Sequence, residues 1–410
     1  MMKQVIYFTI MFLMAPFAYA AEGYLPPRDM VEQALDNYPV YQQARQNIET
    51  SRSVADALRY GPHELTLSST YTQRKISGLL ELEEYDAGLA KGIRLFGKGR
   101  LDRKTAALEI EIAENIAEDA RHQAALVLKQ LWMDWIKAAE MHRISKDYVE
   151  IHRKALAALE KRRALNNASD LDVGLAKSAL QTAMALAAEA QGNEALARDV
   201  IVRSFPEIIM PHHAPKLPTP DEPVNMQDWV DLVISRSHEL TIVEKQAEQF
   251  GVIARRSNLD RFADPTLGLR VFNEQGGDET GVGVTISVPI GVRQRGAVAA
   301  QGRSKAKAAE YNLAYMRRQI GIAAMRDVQN VLNTYKTWQM TFSALESSRF
   351  VIEKTRRSYE LGAHDYAQLL LAEQQFLASK KSEAEARHKA HNAWLQLKID
   401  AHELWLENIH

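Results

Sequence analysis

His388 and His391 stand three residues apart in a stretch of helical periodicity, so both imidazoles would lie on one helix face, where they could pair on a metal ion. No third ligand accompanies them. The neighbouring pair His212-His213 lies among prolines. Neither pair is assigned a metal. Gly281-Val282-Gly283 sits inside an alternating run and lacks the third glycine and following helix of a dinucleotide loop. There is no nucleophile elbow, no phosphate-binding Gly–Lys loop and no His-Glu-x-x-His zinc helix. Asn167-Ala168-Ser169 fits a glycosylation pattern and is given no role. The residues therefore point to no enzyme, no cofactor and no bound metal. What remains is what the elements themselves can do.

The chain has 410 residues, with 51 Lys+Arg against 52 Asp+Glu and a net charge of -1. No basic excess is available to displace phosphate counterions, which argues against nucleic acid as partner. Residues 1–20 have the layout of a secretory signal: Lys3, an apolar run from Val5 to Phe17, and Ala18-Tyr19-Ala20 at the cleavage site. The run is too short for a spanning helix. No other stretch supplies one. The chain has no cysteine, so it uses no disulfide and no lipid anchor on a terminal cysteine.

Six prolines from Pro206 to Pro223 mark an extended linker at 206–227. The same order of elements is expected on either side, which points to an internal two-fold repeat over 21–205 and 228–410. Each half opens with a helical pattern, Asp29 to about Tyr60 and Asp228 to about Asn258, with aspartate as a candidate N-cap. Two alternating strands follow, at about 63–74 and 85–96, then at about 265–273 and 280–290. Leu65, Leu67, Leu267, Leu269, Val284, Ile286 and Val288 form an apolar face opposite small or polar residues. That pattern suits strands with lipid on one side and a lumen on the other. No further β material is available to pack against them as a soluble sheet.

Next come helices of unusual length. No glycine or proline interrupts Arg100 to Val173, and no proline follows Pro289. A helix from Arg100 to about Arg163 would rise about 95 Å. Its narrow stripe, Leu108, Ile112, Ile116, Ala120, Ala124, Val127, Leu131 and Trp135, suits close helix–helix packing. Each long helix is expected to turn at a short patch, Leu165-Asn166-Asn167-Ala168-Ser169-Asp170 and Tyr359-Glu360-Leu361-Gly362-Ala363-His364-Asp365. Asn and Gly tolerate the left-handed conformation that ends a helix. Ser169 or Asp170, and Asp365, could cap the return helices. Matching Asp170 to Asp365 sets the halves 195 residues apart.

The duplication, the strand exits Ile93-Arg94-Leu95-Phe96-Gly97-Lys98-Gly99-Arg100 and Val288-Pro289-Ile290-Gly291, and the turn Tyr359-Glu360-Leu361-Gly362 together resemble the TolC-type outer-membrane efflux protein family over nearly the whole chain. Leu95 to Arg100 is similar to the heavy-metal efflux branch. The first turn departs from the pattern, with Ala164 and Asn167 where an aromatic and a glycine are expected. The resemblance implies an α+β membrane protein, a homotrimer with four strands per protomer in a 12-stranded barrel, and a periplasmic coiled-coil tube. Barrel arithmetic agrees in part, since four strands cannot close and eight leave little lumen.

The resemblance further implies an outer-membrane exit duct with a periplasmic helical extension. It would pass small toxic solutes, metal ions or drugs, from a periplasmic adaptor and an inner-membrane pump of the resistance-nodulation-division type. Leu165, Asn166, Asn167, Ala168, Leu361, Gly362, Ala363 and His364 would form the adaptor-docking end. Asp170 and Asp365, three copies of each, could ring a constriction and favour cations. Two alternatives stay open: the exit duct of a type I protein-secretion system, and a periplasmic coiled-coil protein without a pore.

Overall fold

A computed structural model describes residues 23–406 apart from Ile76, Leu79, Leu80 and Phe96. The expected signal segment lies outside the described residues, as does Phe96 of the strand exit. Twelve helices and strands follow in the order α1 (Arg28–Asp36), α2 (Pro39–Tyr60), β1 (Leu65–Lys75), β2 (Glu81–Gly92), α3 (Lys98–Ala164), α4 (Asp170–Ser204), α5 (Met226–Arg236), α6 (His238–Leu259), β3 (Thr266–Glu274), β4 (Glu279–Ser287), α7 (Val292–Glu360) and α8 (Tyr366–Asp400). The series two helices, two strands, two helices thus occurs twice. No described helix is long and apolar enough to cross a membrane.

The opening helix of each half is broken, where the periodicity had suggested one continuous element. Tyr38 precedes Pro39 and is extended (φ -64°, ψ 128°), as a residue before proline prefers. Ser237 ends α5 and caps α6, its side chain accepting the Leu240 N–H at 3.1 Å. Asp29 and Asp228 are not the caps expected of them. Both lie inside the first turn, and Asn225 holds the cap position of α5. There the acids oppose the partial positive charge of the helix start.

The chain forms two compact units. Among the described residues, one lies within 35–130, 220–343 and from 389 on, and the other within the stretch up to 34, 131–219 and 344–388. In the first, Met226, Val233, Ala324, Val328, Val331, Ala393, Leu397 and Ala401 make a core. In the second, Leu159, Ala176, Ile352, Tyr366, Leu369 and Ala372 do so. Alanines at these positions let helix axes approach closely. The stripe foreseen on α3 is shifted in part. Ile116 and Val127 are exposed, and Ala117 and Leu128 are buried in their stead. Between Ser204 and Met226 the chain forms no helix or strand. Arg198 and Arg387 tie it down by donating to the carbonyls of Pro211 (2.8 Å) and Leu217 (3.1 Å).

The four strands form one antiparallel sheet in the order β1-β2-β3-β4. Two bounds differ from the alternation pattern. β2 runs 81–92, not 85–96: Ile93 donates to its register partner Pro265 (2.8 Å), which has no N–H to return, and Leu95 donates to the Asp264 side chain (3.0 Å). Residues 93–95 leave the ladder and enter a junction with α3. β4 stops at Ser287, paired with Thr266. Val288, expected on the strand, lies beyond its end, since its partner would be Pro265, which has no N–H to give.

Candidate membrane face, junction and helical turns

Antiparallel pairing puts cross-strand partners on the same face. Leu67, Leu89, Leu269 and Val284 stand in one row across all four strands. Leu65, Lys91, Leu267 and Ile286 form the next row, and Ser69, Ala87, Val271 and Val282 a third. Leu67 is 78% exposed, Val284 73% and Ile286 67%. Large apolar side chains this open, on four adjacent strands, make a patch that water does not favour. Lys91 is the only charge in the three rows, and it stands at one end of its strand.

The opposite face is small and polar. Ser68, Gly88, Arg270 and Gly283 share a row, as do Thr70, Asp86, Phe272 and Gly281. Arg270 pairs with Asp86 and lies over the Phe272 ring at 5.1 Å. Glu84, 7% exposed, accepts from Arg74 at 2.9 Å. The alternation read in the sequence is thus a physical division between an apolar face and one carrying ion pairs. β1 and β4 are the outer strands and have no strand partner on their far sides among the described residues.

A charged network welds the sheet to the helices, and little in the residue pattern announces it. Lys98, 2% exposed, donates to the Phe262 carbonyl (2.7 Å) and Asp264 Oδ1 (2.8 Å), and pairs with Asp260 (3.1 Å). Asp264 also accepts the Leu95 N–H and meets His63 Nε2 at 2.8 Å. Burial alone would raise this carboxyl. The hydrogen bonds from Lys98, Leu95 and His63 outweigh it and bring the pKa down to about 2.

Arg94 closes the end of α2 by donating to the carbonyls of Leu58, Arg59 and Tyr60 (3.0, 2.8 and 3.1 Å) and to Asp102 (2.8 Å). Its guanidinium covers Gly61, where φ is +82° and an added Cβ would come within 2.7 Å of it. Arg256 on α6 completes the network on Asp102 at 2.7 Å. The only advance signal was a lysine between two glycines at a strand exit.

The two turns have the same construction. Asn166 (φ 56°) and Gly362 (φ 77°) are the left-handed residues. Asn167 donates its N–H to the Arg162 carbonyl at 2.8 Å, and Ala363 to that of Ser358 at 2.9 Å. Ser169 caps α4 by accepting the Asp172 N–H, and the Asp172 carboxylate accepts the Ser169 N–H (both 3.1 Å). Asp365 caps α8 by accepting the Gln368 N–H (2.8 Å), and the Gln368 side chain returns the bond (3.2 Å).

These equivalences correct the register: Ser169, not Asp170, corresponds to Asp365, and Asn166, not Asn167, corresponds to Gly362. Leu165 then matches Leu361, and both are open, at 78% and 69%. Asp170 begins α4 and pairs with Arg163 at 2.5 Å, both well exposed. The aromatic of the second turn, Tyr359, matches Arg163. Its hydroxyl accepts from Arg162 at 2.8 Å, and that guanidinium lies 5.4 Å from its ring. Ala168 and His364 occupy matching places, and His364 meets the Gln368 side chain at 2.7 Å. Of the histidine pair considered for a metal, His388 is committed to the Met133 carbonyl at 2.9 Å.

No protein-family model matches the chain. No curated protein matches it significantly. Solved structures do. The CusC transmembrane channel superposes with TM-score 0.74 at 14% identity, over 91% of each chain. VceC, an outer membrane protein of Vibrio cholerae, gives 0.72 at 17% identity, over 91% of this chain and 95% of that one. The open state of the Neisseria gonorrhoeae MtrE outer membrane channel gives 0.62 at 15%, over 91% and 88%. The chain therefore has the fold of outer-membrane channels.

Proposed function

We propose that the chain is a passive, non-enzymatic outer-membrane exit duct of a tripartite efflux system. The observation that carries this reading is the sheet: four strands, one apolar exposed face, one charged face and two open edges. Apolar on one side and polar on the other is what lipid outside and water inside require. An open edge in hydrocarbon would leave its N–H and C=O groups unsatisfied, so the sheet needs copies of itself to close. Three copies give a 12-stranded barrel, wide enough for a lumen. The repeated element order supports an internal duplication over 21–205 and 228–410, with the linker 206–227 between.

In this reading Leu65, Leu67, Leu267, Leu269, Val284 and Ile286 face lipid. The turns at 165–168 and 361–364 dock a periplasmic adaptor, with Leu165 and Leu361 as its apolar contacts. An inner-membrane pump energises transport of small solutes. Asp170 and Asp365 line the periplasmic opening. Two assays test the whole: heat-resistant oligomers in outer-membrane fractions, and conductance of the purified chain in planar bilayers. A soluble monomer without conductance would overturn the reading. Robust conductance with crosslinks only to an ABC exporter's adaptor would move it to protein secretion.

A further inference from the structure

Charge is unevenly placed along the chain. The net value is -1, yet Val292 to Lys307, the first turns of α7, hold five cations and no acid. Arg293, Arg303 and Lys305 are exposed and have no hydrogen-bond or ion-pair partner among the described residues. The same is true of Arg100 and Arg103 at the start of α3, and of Arg261 just past α6. At 1.5 Å per residue, all six stand within about 20 Å of the place where strands meet helices. The acids of this zone are engaged. Asp102, Asp260 and Asp264 hold the junction, and Asp56 pairs with Arg59 at 3.0 Å.

The apolar face of the sheet ends at the same level. Its last row on the junction side is Leu65, Lys91, Leu267 and Ile286. Beyond that row Tyr60, Phe262 and Ile290 are exposed, Ile290 at 95%. At the opposite end of the face the rings of Tyr71 and Tyr85 stand 5.3 Å apart. Barrel strands carry aromatic girdles at the two levels where hydrocarbon gives way to headgroups. From the sheet into the helices the order is therefore apolar rows, then aromatic and apolar side chains, then unpaired cations. Headgroup phosphates lie just outside the hydrocarbon, and a free guanidinium at that level can bind one through two parallel hydrogen bonds. Cations without protein partners leave the anion to come from outside. The neighbouring apolar rows bring a lipid phosphate within reach.

We propose that Arg100, Arg103, Arg261, Arg293, Arg303 and Lys305 form a collar that binds the headgroup phosphates of anionic phospholipid on the helical side of the membrane. The inference rests on the outer-membrane reading above and adds the lipid class that the duct selects. Native mass spectrometry tests it on the oligomer of the full chain, purified in neutral detergent and offered phosphatidylglycerol and phosphatidylcholine in equal amounts. The native chain should retain phosphatidylglycerol over phosphatidylcholine by about tenfold after incubation in about 50 mM salt. The preference should shrink several-fold in about 500 mM salt, where exposed charges are screened. Arg293→Gln, Arg303→Gln and Lys305→Gln together should nearly abolish it while oligomers and conductance persist, since none of the three holds the fold. Lys154→Gln with Lys161→Gln, far along α3, should leave it unchanged. Equal retention of the two lipids by a conducting native oligomer would overturn the collar and leave the duct reading standing. A triple variant that keeps the lipid preference but alters ion selectivity would place these cations on the lumen and overturn the collar as well. So would inorganic phosphate that competes the lipid away, since the site would then take a free anion. A chain that forms neither oligomer nor conducting channel would overturn both readings.

Discussion

Ser169 and Asp365 do the same work in the two halves of the chain: each closes a capping box that starts a return helix. The equivalence places Asp170 one residue inside α4, against Arg163, while Asp365 stands outside α8 as its cap. Ser169→Ala and Asp365→Ala should each cost about 1 kcal/mol. Asp170→Ala should cost much less, because an exposed ion pair contributes little. Chemical denaturation, with hydrogen exchange in the first turn of each helix, would measure the difference. Equal losses at all three positions would refute the register.

Charge at the turns separates a cap from a pore lining. Asp365→Asn keeps an N-cap oxygen, and Asp170→Asn leaves Ser169 in place. The double variant should fold normally and weaken cation selectivity in planar bilayers if both carboxylates face the opening. Unchanged selectivity would leave Asp365 a cap and Asp170 a surface ion-pair partner.

The two faces of the sheet should respond differently to charge. Lysine at Ile286 should cost roughly 2–4 kcal/mol near the bilayer midplane. Lysine at Thr285, in the row of Thr66, Ala90 and Gly268, should be better tolerated. Folding titrations into lipid vesicles would compare them, and equal damage would contradict the assignment of faces.

The junction should be sensitive to acid and to loss of its lysine. With its folded-state pKa lowered to about 2, Asp264 stabilises the fold above its unfolded value near 4. That contribution, about 2 kcal/mol, is lost as pH falls from about 4 towards 2. Lys98→Met should cost about 3–5 kcal/mol at neutral pH, since it strands a buried carboxylate. Adding Asp264→Asn should recover part of the loss. Melting curves from pH 2 to 7 would show both effects.

At Gly362, where φ is +77° and nothing lies within 4 Å of an added Cβ, strain alone should decide the outcome. Gly362→Asn should be mild, as Asn166 holds the matching conformation. Gly362→Val should cost about 1–2 kcal/mol and reduce crosslinking to an adaptor while oligomers persist.

Strand alternation, helix length and the breaker residues carried most of the fold, because each is a local property of backbone and side chain. The face of Leu67, Leu269 and Val284 was legible from period two alone. Helix breaks at Tyr38 and Ser237 were hidden by apolar spacing that continues across them. The register of the turns was misjudged by one residue because two aspartates made a tempting match, while the true cap, Ser169, pairs with a residue of another type. Lys98–Asp264 joins residues more than 160 positions apart. Contacts at that separation leave no mark in local periodicity.

The open edges of β1 and β4 also bear on how the protein is made. A lone copy has no stable resting place: water penalises its apolar face, and lipid penalises its unpaired backbone. On the proposed reading of an outer-membrane duct, neither solvent holds the monomer, so association and insertion become a single event. Yield of the embedded form should then depend on the concentration of free chains, and escorts that mask the apolar face would govern it more than the stability of the helices.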